Sequence, residues 1–305
     1  MKLNQLRDVL AIAERGSLRG AARHLALAQP ALTRSVHELE RELGVPLFER
    51  RARGMIPTPM GEAFVRRASA ILSEVRKARD EVEQLHGGTR GKVVTGLSLA
   101  AHVALLPKAL QPFRKRYPQV QLHIIEALFP TLEAGLKDGS IDFYVGPKPE
   151  RPPSSDLALE KLFDNTRVIL GRKNHPLAGA RSLRDLVGAE WTTTSVTFKA
   201  EEELRELFEQ HDLPAPRLAL HSQSALTLMI SLANTDLLTM VPVQWTKFPA
   251  ISGLLAQIPV KEAFKAPSIV VVRRGELPLT PAAGYLLDLL RRNVPRQSTQ
   301  CGGEA

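Results

Sequence analysis

The chain has 305 residues, of which 44% are hydrophobic, and a formal net charge of +9 at pH 7. This length suits two or three compact units with sizeable cores, and the basic balance favours a polyanionic partner. One cysteine, Cys301 in the polar tail, excludes an intramolecular disulfide and a cysteine metal cluster. The first residues lack a signal peptide's apolar run, and no stretch approaches the roughly 20 apolar residues that span a bilayer. The sequence therefore predicts a soluble cytoplasmic protein.

The first 44 residues show the pattern of three short helices. Ser17 suits the N-cap of the second helix, Pro30 suits the first turn of the third, and Gly44 suits the position after its end. A short turn joins the last two helices, which predicts a helix-turn-helix. The apolar positions of the three helices are Leu3, Leu6, Leu10 and Ala13; Leu18, Ala21, Ala22 and Leu25; and Leu32, Val36, Leu39 and Leu43.

The polar side of the third predicted helix carries side chains suited to DNA. In a helix-turn-helix, the N-terminal residues of the second helix of the pair reach base edges in the major groove. Gln29 and Arg34 suit bases, Thr33 suits a base or a phosphate, and Pro30 offers an apolar surface. His37 lies on the same side, and Ser17 begins a helix whose N–H groups suit a phosphate. The alternative is a three-helix packing module with solvated charges.

The next unit is "VPLFERRARGMIP", residues 45–57. It predicts a short hairpin, or wing, with a basic tip. Arg50 and Arg53 there suit phosphates or a narrow minor groove.

A long helical pattern runs from Thr58 to Leu85. Its apolar residues alternate at spacings of four and three, which favours pairing with a second copy of the same helix. The alternative is packing on its own domain. "HGGTRG" then predicts a linker. The residues of this predicted dimer seam are Phe64, Ala68, Ile71, Val75, Ala78, Val82 and Leu85.

After Lys92, strand-like and helix-like stretches alternate, which is typical of an α/β chain. Helices are predicted over 102–117, 130–138, 224–234 and 280–293. Two similar halves, 92–165 and 166–265, predict two lobes with a cleft between them, and the last strand and helix return to the first half. The predicted strands are "KVVTGLS", "VQLHIIEA", "IDFYVG", "RVILG", "WTTTS", "RLALHS", "DLLTMVP" and "SIVVVRR".

The stretch "GSLRGAARHLALAQPALTRSVHELERELGVPLFERRARGMIPTPMGEAF" resembles the N-terminal domain of LysR-type transcriptional regulators. The shared frame consists of Ser17, Ala21-Ala22, Leu25, Gln29-Pro30-Ala31, Leu39-Glu40, Leu43-Gly44, Leu47-Phe48, Arg50, Thr58 and Gly61. Two positions depart from the family: Ala28 replaces the usual serine, and Thr33 stands where serine is commoner. Both make base preference harder to infer.

The resemblance implies a fold class: α/β with an all-α N-terminal part. The layout is a winged helix-turn-helix (1–57), a linker and dimerisation helix with a hinge (58–90) and a two-lobed, periplasmic-binding-protein-like effector domain (91–295). Its first lobe covers about 91–165 and 266–295 and its second about 166–265, and a flexible tail (296–305) follows. The implied regulator binds half-sites about one DNA turn apart, or a multiple of it, as a dimer or tetramer, and RNA polymerase is a further implied partner.

The resemblance also implies that a small effector binds between the lobes. Hydroxyls and free N–H groups at helix N-termini favour an anion such as a carboxylate, although such residues often only cap helices. "DLLTMVP" and "ELPLTPAAG" resemble the family branch that regulates catabolism of aromatic acids and sulfonates. The mapped effector residues are Ser98, Ala100, His102, Phe129, Pro130, Thr131, Thr193, Thr194, Ser195, Thr197 and Ser222.

Three other functions compete with this interpretation. "TGLSLA", residues 95–100, resembles the nucleophile elbow of α/β hydrolases around Ser98, but Ala100 replaces its final glycine. His102 and His123 raise the possibility of a metal site, which their strand and helix patterns do not favour. The third alternative is a solute-binding protein. The absent signal peptide and the basic N-terminal domain argue against that class. We therefore predict a regulator, with no catalytic residues, cofactor, metal or membrane partner.

Overall fold

The computed structural model describes residues 1–51, 54–194 and 199–294. Four residues from the predictions, Arg53, Ser195, Thr197 and Cys301, lie outside the described residues, as does the side chain of Thr194.

The N-terminal unit is a winged helix-turn-helix around one small apolar core. The core residues come from every element of the unit, with Ile12, Leu32 and Leu39 fully buried. Gly16 ends the first helix with φ +64°, a left-handed conformation that favours glycine. The elements are α1 (Leu3–Arg15), α2 (Leu18–His24), α3 (Gln29–Leu43), β1 (Phe48–Arg51) and β2 (Gly54–Pro57).

The wing formed by β1 and β2 is held in place by its backbone. Met55 N–H donates to the Gly16 carbonyl at 2.8 Å. Gly54 has φ +121°, and a Cβ there would lie 2.2 Å from the same carbonyl, so a side chain at this position would displace the wing. At the other end, the Glu40 carboxylate accepts from Leu47 N–H at 2.7 Å. The two strands of the predicted hairpin are therefore attached to the helical unit at both ends.

The linker helix α4 (Pro59–Leu85) has 27 residues and begins after Thr58, whose hydroxyl accepts from Gly61 N–H at 3.0 Å. Its start packs on the N-terminal core, so the seam residues Phe64 and Ala68 are covered within the chain. Farther along, the polar side of the helix packs against the first lobe, and several of its apolar side chains are exposed to solvent. The exposed fractions are 39% for Ile71, 70% for Val82 and 72% for Leu85.

The remaining chain forms two α/β lobes that share one sheet. Its strand order is β10-β6-β11-β5-β3-β4, with β9 also paired to β6, while β7 and β8 form a separate parallel pair. The elements are β3 (Arg90–Leu97), α5 (Leu99–Ala104), α6 (Leu106–Arg116), β4 (Gln119–Glu126), α7 (Phe129–Asp138), β5 (Phe143–Pro147), β6 (Leu157–Arg172), β7 (Glu190–Thr194), α8 (Lys199–Glu209), β8 (Arg217–Ser222), α9 (Ala225–Asn234), β9 (Thr239–Pro242), α10 (Pro249–Ser252), β10 (Leu255–Ile258), β11 (Phe264–Arg274) and α11 (Pro281–Arg292).

Two long strands connect the lobes. The start of β6 pairs with the end of β11 in the first lobe, and the end of β6 pairs with β9 and β10 in the second. The register between β6 and β11 is irregular between Ala266 and Ile269, where the strands pass from one lobe to the other. The last strand, β11, pairs with β5, and α11 packs into the same apolar core as β3 and β5. These strands make the only sheet continuity between the lobes within the described ranges.

Two predicted elements differ from the structure. The helix expected over 102–117 is two helices, α5 and α6, that meet at Leu105. Pro107 lacks the N–H that would continue the first helix. The strand expected from "RVILG" is the second half of β6. The first half of β6 has four consecutive exposed residues after Leu157 and so lacks a continuous buried apolar run.

The second lobe contacts the first lobe at α5. Leu99 and Val103 of α5 pack with Trp245, which lies in a short 3₁₀ turn after β9. The residue before α5, Ser98, therefore lies where the two lobes meet. None of the helices within the described residues has both the length and the apolar character needed to cross a membrane.

Candidate nucleic-acid interface and ligand cleft

One side of α3 anchors the helix and the other is free. Leu32, Val36 and Leu39 are buried on the side that faces the core. Arg34 is exposed on the opposite side, and Gln29 is exposed in the first turn of the helix. Within the described part of the chain, the Arg34 guanidinium makes no hydrogen bond or ion pair. Its five N–H donors are thus available to an external acceptor.

The other polar residues of α3 are partly engaged. The Thr33 hydroxyl donates to the Gln29 carbonyl at 3.0 Å and keeps its lone pairs as acceptors. His37 Nδ1 lies 3.3 Å from Glu40 Oε2, and its side chain is 73% exposed. Pro30 is exposed in the first turn. The predicted residues therefore lie on one accessible face of the helix.

The flanks of α3 add exposed arginines. Arg50 on the wing has no ion-pair partner among the described residues, whereas Arg51 pairs with Glu49 at 2.9 Å. Ser17 caps α2, because its hydroxyl accepts from Gly20 N–H at 3.1 Å. The sequence interpretation missed Arg19, which is exposed in the first turn of α2. Its position two residues after the predicted N-cap, Ser17, could have indicated a basic side chain beside a phosphate.

A buried ion pair joins α4 to the first lobe. Lys77 Nζ lies 2.8 Å from Asp142 Oδ1, and the two side chains are 10% and 2% exposed. The second carboxylate oxygen of Asp142 accepts from Val94 N–H at 2.8 Å. Asp142 is thus satisfied on both oxygens, which is the condition for keeping a charge inside a protein.

Further polar contacts extend this connection along α4. Ser73 Oγ donates to the Gly139 carbonyl at 2.7 Å, and Glu74 pairs with Arg274. Gln84 accepts from Ala282 N–H at 2.9 Å and donates to the Arg90 carbonyl at 2.9 Å. The linker helix and the first lobe therefore form one continuous unit.

The first-lobe wall of the predicted cleft is built at the carboxyl ends of β3 and β5. Ser98 is 3% exposed, and its Oγ accepts from Ala101 N–H at 3.4 Å at the start of α5. His102 Nδ1 lies 3.1 Å from the Ser98 carbonyl and donates to it. The Ala100 side chain lies in the first-lobe core, so only its backbone is available to a ligand.

The start of α7 completes this wall. Phe129 is 5% exposed and packs against Tyr144, with ring centroids 6.0 Å apart. Pro130 and Thr131 are exposed, and the Thr131 hydroxyl donates to the Leu128 carbonyl at 2.9 Å. Tyr144 was not among the predicted site residues. Burial raises the pKa of its hydroxyl far above the usual range, and the Phe129 N–H beside it opposes this rise only in part.

The second-lobe wall carries hydroxyls at the ends of β7 and β8. Thr193 Oγ1 lies 3.2 Å from His221 Nδ1. Ser222 Oγ accepts from Ser224 N–H at 3.0 Å, and Ser224 in turn caps α9. Capping, the alternative considered for these residues, is thus the local role of Ser98 and Ser224. It leaves further lone pairs on both hydroxyls for a ligand.

The geometry at Ser98 does not form a nucleophile. Its Oγ accepts a backbone hydrogen bond, and the ring of His102 contacts its carbonyl rather than its hydroxyl. A nucleophilic serine needs its base on the hydroxyl. Among the described residues, no group of three histidine, cysteine or acidic side chains is placed to hold a metal ion.

Comparison with known proteins gives two family matches. The family described as "Bacterial regulatory helix-turn-helix protein, lysR family" matches residues 3–62. The family described as "LysR substrate binding domain" matches residues 86–295.

Individual relatives agree with these matches. The HTH-type transcriptional regulator GalR of Pseudomonas putida is 28% identical over 295 residues, covering 96% of this chain and 74% of GalR. The HTH-type transcriptional regulator GbpR of Azospirillum brasilense is 26% identical over 294 residues, covering 95% and 86%. These relatives are regulators and not enzymes.

Solved structures share the fold. The crystal structure of CbnR, a LysR family transcriptional regulator, has a TM-score of 0.68 at 20% identity and covers 97% of this chain and 100% of that one. Full-length CbnR complexed with its target DNA has a TM-score of 0.68 at 21% identity, covering 96% and 100%. A full-length OxyR variant from Pseudomonas aeruginosa has a TM-score of 0.65 at 21% identity, covering 96% and 97%.

Proposed function

Because this chain belongs to the LysR family of DNA-binding transcriptional regulators, we propose that it reads an interrupted palindrome as a dimer. One copy of α3 and one wing contact each half-site, and the half-sites lie about one DNA turn apart or a multiple of it. Gln29, Thr33 and Arg34 contact bases, while Ser17, His37, Arg50 and Arg53 contact the phosphate backbone or the minor groove.

The observation that carries this proposal is the polarity of α4. Its polar residues Ser73, Lys77 and Gln84 are buried against the first lobe, while Val82 and Leu85 are exposed. A helix that packed only on its own chain would be expected to bury its apolar side instead. A second copy of α4 packed on the exposed side removes these side chains from water and places two DNA-binding units in one molecule.

Arg34 provides the test of base reading. Arg34→Ala is expected to weaken binding to the preferred operator by about 1–3 kcal/mol and to relax base preference at one position, because the guanidinium pairs with guanine through two parallel hydrogen bonds. Arg34→Lys keeps the positive charge but loses the planar guanidinium that donates two parallel hydrogen bonds. The salt dependence of DNA binding should therefore be retained, whereas much of the preference for one base should be lost. Fluorescence anisotropy on operator and single-substitution DNA measures both.

The matched control is Arg151→Ala, which removes an exposed arginine of the effector domain. It should bind all these DNA fragments like the wild type. If Arg34→Ala also keeps the wild-type affinity and preference, Arg34 is not a reader and another part of α3 makes the base contacts.

The cleft between the lobes is proposed to bind a small anionic effector. Hydroxyls line both walls, and α7 begins at the first wall with an N-cap residue, Leu128, whose side chain makes no capping hydrogen bond. Such a helix N-terminus favours a negative charge. The effector residues proposed are those mapped above, with Ala100 contributing through its backbone. Aromatic acids and sulfonates remain the predicted compound classes.

The effector acts, in this proposal, by closing the two lobes on each other, which rotates the dimer arrangement and changes the angle of the DNA-binding units. Because α4 is tied to the first lobe by the Lys77–Asp142 pair, movement of that lobe is transmitted to the dimer seam. The shift between promoter-bound states is limited by the effector's different affinity for them. We also propose tetramer formation and contact with RNA polymerase, both from family membership. The proposed location is the cytoplasm, because the proposed partner is promoter DNA.

A further inference from the structure

A buried tyrosine lies behind the first-lobe wall with an O–H group that donates to no acceptor. Tyr144 is fully buried in the layer between β5 and α7, and within the described residues its hydroxyl finds no hydrogen-bond acceptor. A buried hydroxyl that lacks a partner costs free energy, and phenylalanine would fill the same space without that cost. The hydroxyl therefore needs an explanation other than packing.

The hydroxyl is directed to the carboxyl end of β5 by the absence of a side chain at Gly146. A Cβ at position 146 would lie 2.0 Å from the Tyr144 hydroxyl oxygen and 2.8 Å from Ser98 Cβ. The side chains of Tyr144 and Ser98 therefore meet in front of Gly146. Any larger residue there would displace the tyrosine ring, so glycine is what allows this arrangement.

The third group at this place is the N-terminus of α7. The backbone N–H of Phe129, its first residue, lies beside the Tyr144 hydroxyl. Pro130 has no N–H, and the Thr131 N–H bonds to the Leu128 carbonyl at 3.2 Å. The phenol, the Ser98 side chain and the start of α7 thus lie close together at the cleft wall, where the phenol O–H and the Phe129 N–H can each donate to an acceptor oxygen.

We propose that the Tyr144 hydroxyl is the donor with which the first lobe selects an effector bearing a carboxylate. A carboxylate oxygen at the start of α7 accepts from this hydroxyl and meets the positive end of the helix. The phenol stays protonated when the charge binds, because burial among apolar side chains keeps it neutral. This inference rests on the proposed function of the cleft and makes Tyr144 a specificity-determining residue.

The first experiment is a thermal-shift screen of the wild-type chain. The probes are acetate, pyruvate, benzoate and protocatechuate, with benzenesulfonate, glucose and glycerol as compounds that lack a carboxylate. A ligand that prefers the native state raises the melting temperature. At least one carboxylate should do so. If only benzenesulfonate raises it, the inference about Tyr144 is overturned and the cleft's proposed function stands. If only glucose or glycerol does, or if none of the probes does, both are overturned.

The second experiment uses isothermal titration of the best carboxylate and of the alcohol in which CH₂OH replaces its carboxylate. Tyr144→Phe should weaken carboxylate binding roughly tenfold, as expected for a lost hydrogen bond to a charged group. It should change alcohol binding much less, so the preference for the carboxylate shrinks. Tyr117→Phe, the same change at a buried tyrosine of the other core layer, should leave both affinities at the wild-type value.

Stability separates this role from a structural one. Tyr144→Phe should melt at the wild-type temperature or higher without ligand, because it removes a buried hydroxyl that has no partner. An unchanged preference for carboxylate over alcohol in Tyr144→Phe overturns the inference. A lower melting temperature with equal loss of both ligands also overturns it, because the hydroxyl then serves the fold, through a buried water or otherwise.

Discussion

Replacing Asp142 with alanine is expected to lower the free energy of unfolding by about 3–5 kcal/mol, because the Lys77 ammonium then stays buried without its partner. The variant also leaves Val94 N–H without its acceptor. In a domain of this size the expected loss corresponds to a fall in melting temperature of roughly 10 °C. Thermal melts followed by circular dichroism measure it.

The control replaces both partners. Lys77→Met with Asp142→Leu removes the charges and keeps apolar volume, so it should be far more stable than Asp142→Ala. If Asp142→Ala melts within a degree or two of the wild type, the ion pair is not buried in solution and α4 does not lie on the first lobe as described.

Replacing Val82 and Leu85 together with aspartate is expected to dissociate the proposed α4 dimer, because two charges would then face their copies across the apolar side of α4. Both side chains are exposed within one chain, so the fold should be retained. Loss of the second DNA-binding unit should weaken operator binding about 100-fold or more, since the two half-sites are no longer bound by one molecule. Sedimentation velocity and anisotropy titration measure the two effects.

A matched control places the same charges elsewhere. Val187 and Leu254 are also exposed apolar residues, in the second lobe, and their double aspartate variant should sediment and bind DNA like the wild type. If the α4 variant sediments as the wild type does, the dimer seam lies on another surface of the protein.

Local patterns predicted most of the elements. The helical pattern predicted from Thr58 to Leu85 matches α4 to within one residue at its start, because the helical periodicity and the end signals are read from residues close together in sequence. The same holds for α3, where buried and exposed residues alternate with the helical period. Elements that depend on contacts between distant parts of the chain were harder to predict from the sequence. The first half of β6 is strand because β11 pairs with it from about 110 residues away, which its own polar residues do not indicate.

The candidate sites divide in the same way. The face of α3 was predictable because a solvent-exposed helix face can be read from residue spacing. The tie between α4 and the first lobe was not, because Lys77 looks like any surface lysine until Asp142 is brought to it by the fold. Tyr144 was likewise hidden inside the apolar run "IDFYVG", and only the packing of Gly146 and Ser98 around its hydroxyl distinguishes it from a core tyrosine.

Selection of bound sequences from a random duplex library tests the central claim of two linked readers most directly. The purified wild-type chain is expected to enrich sequences with dyad symmetry whose half-sites lie about one helical turn apart or a multiple of it. Enrichment of a lone asymmetric site, or of no sequence over the input library, would contradict the account, because a dimer joined through α4 presents two identical reading helices to the DNA.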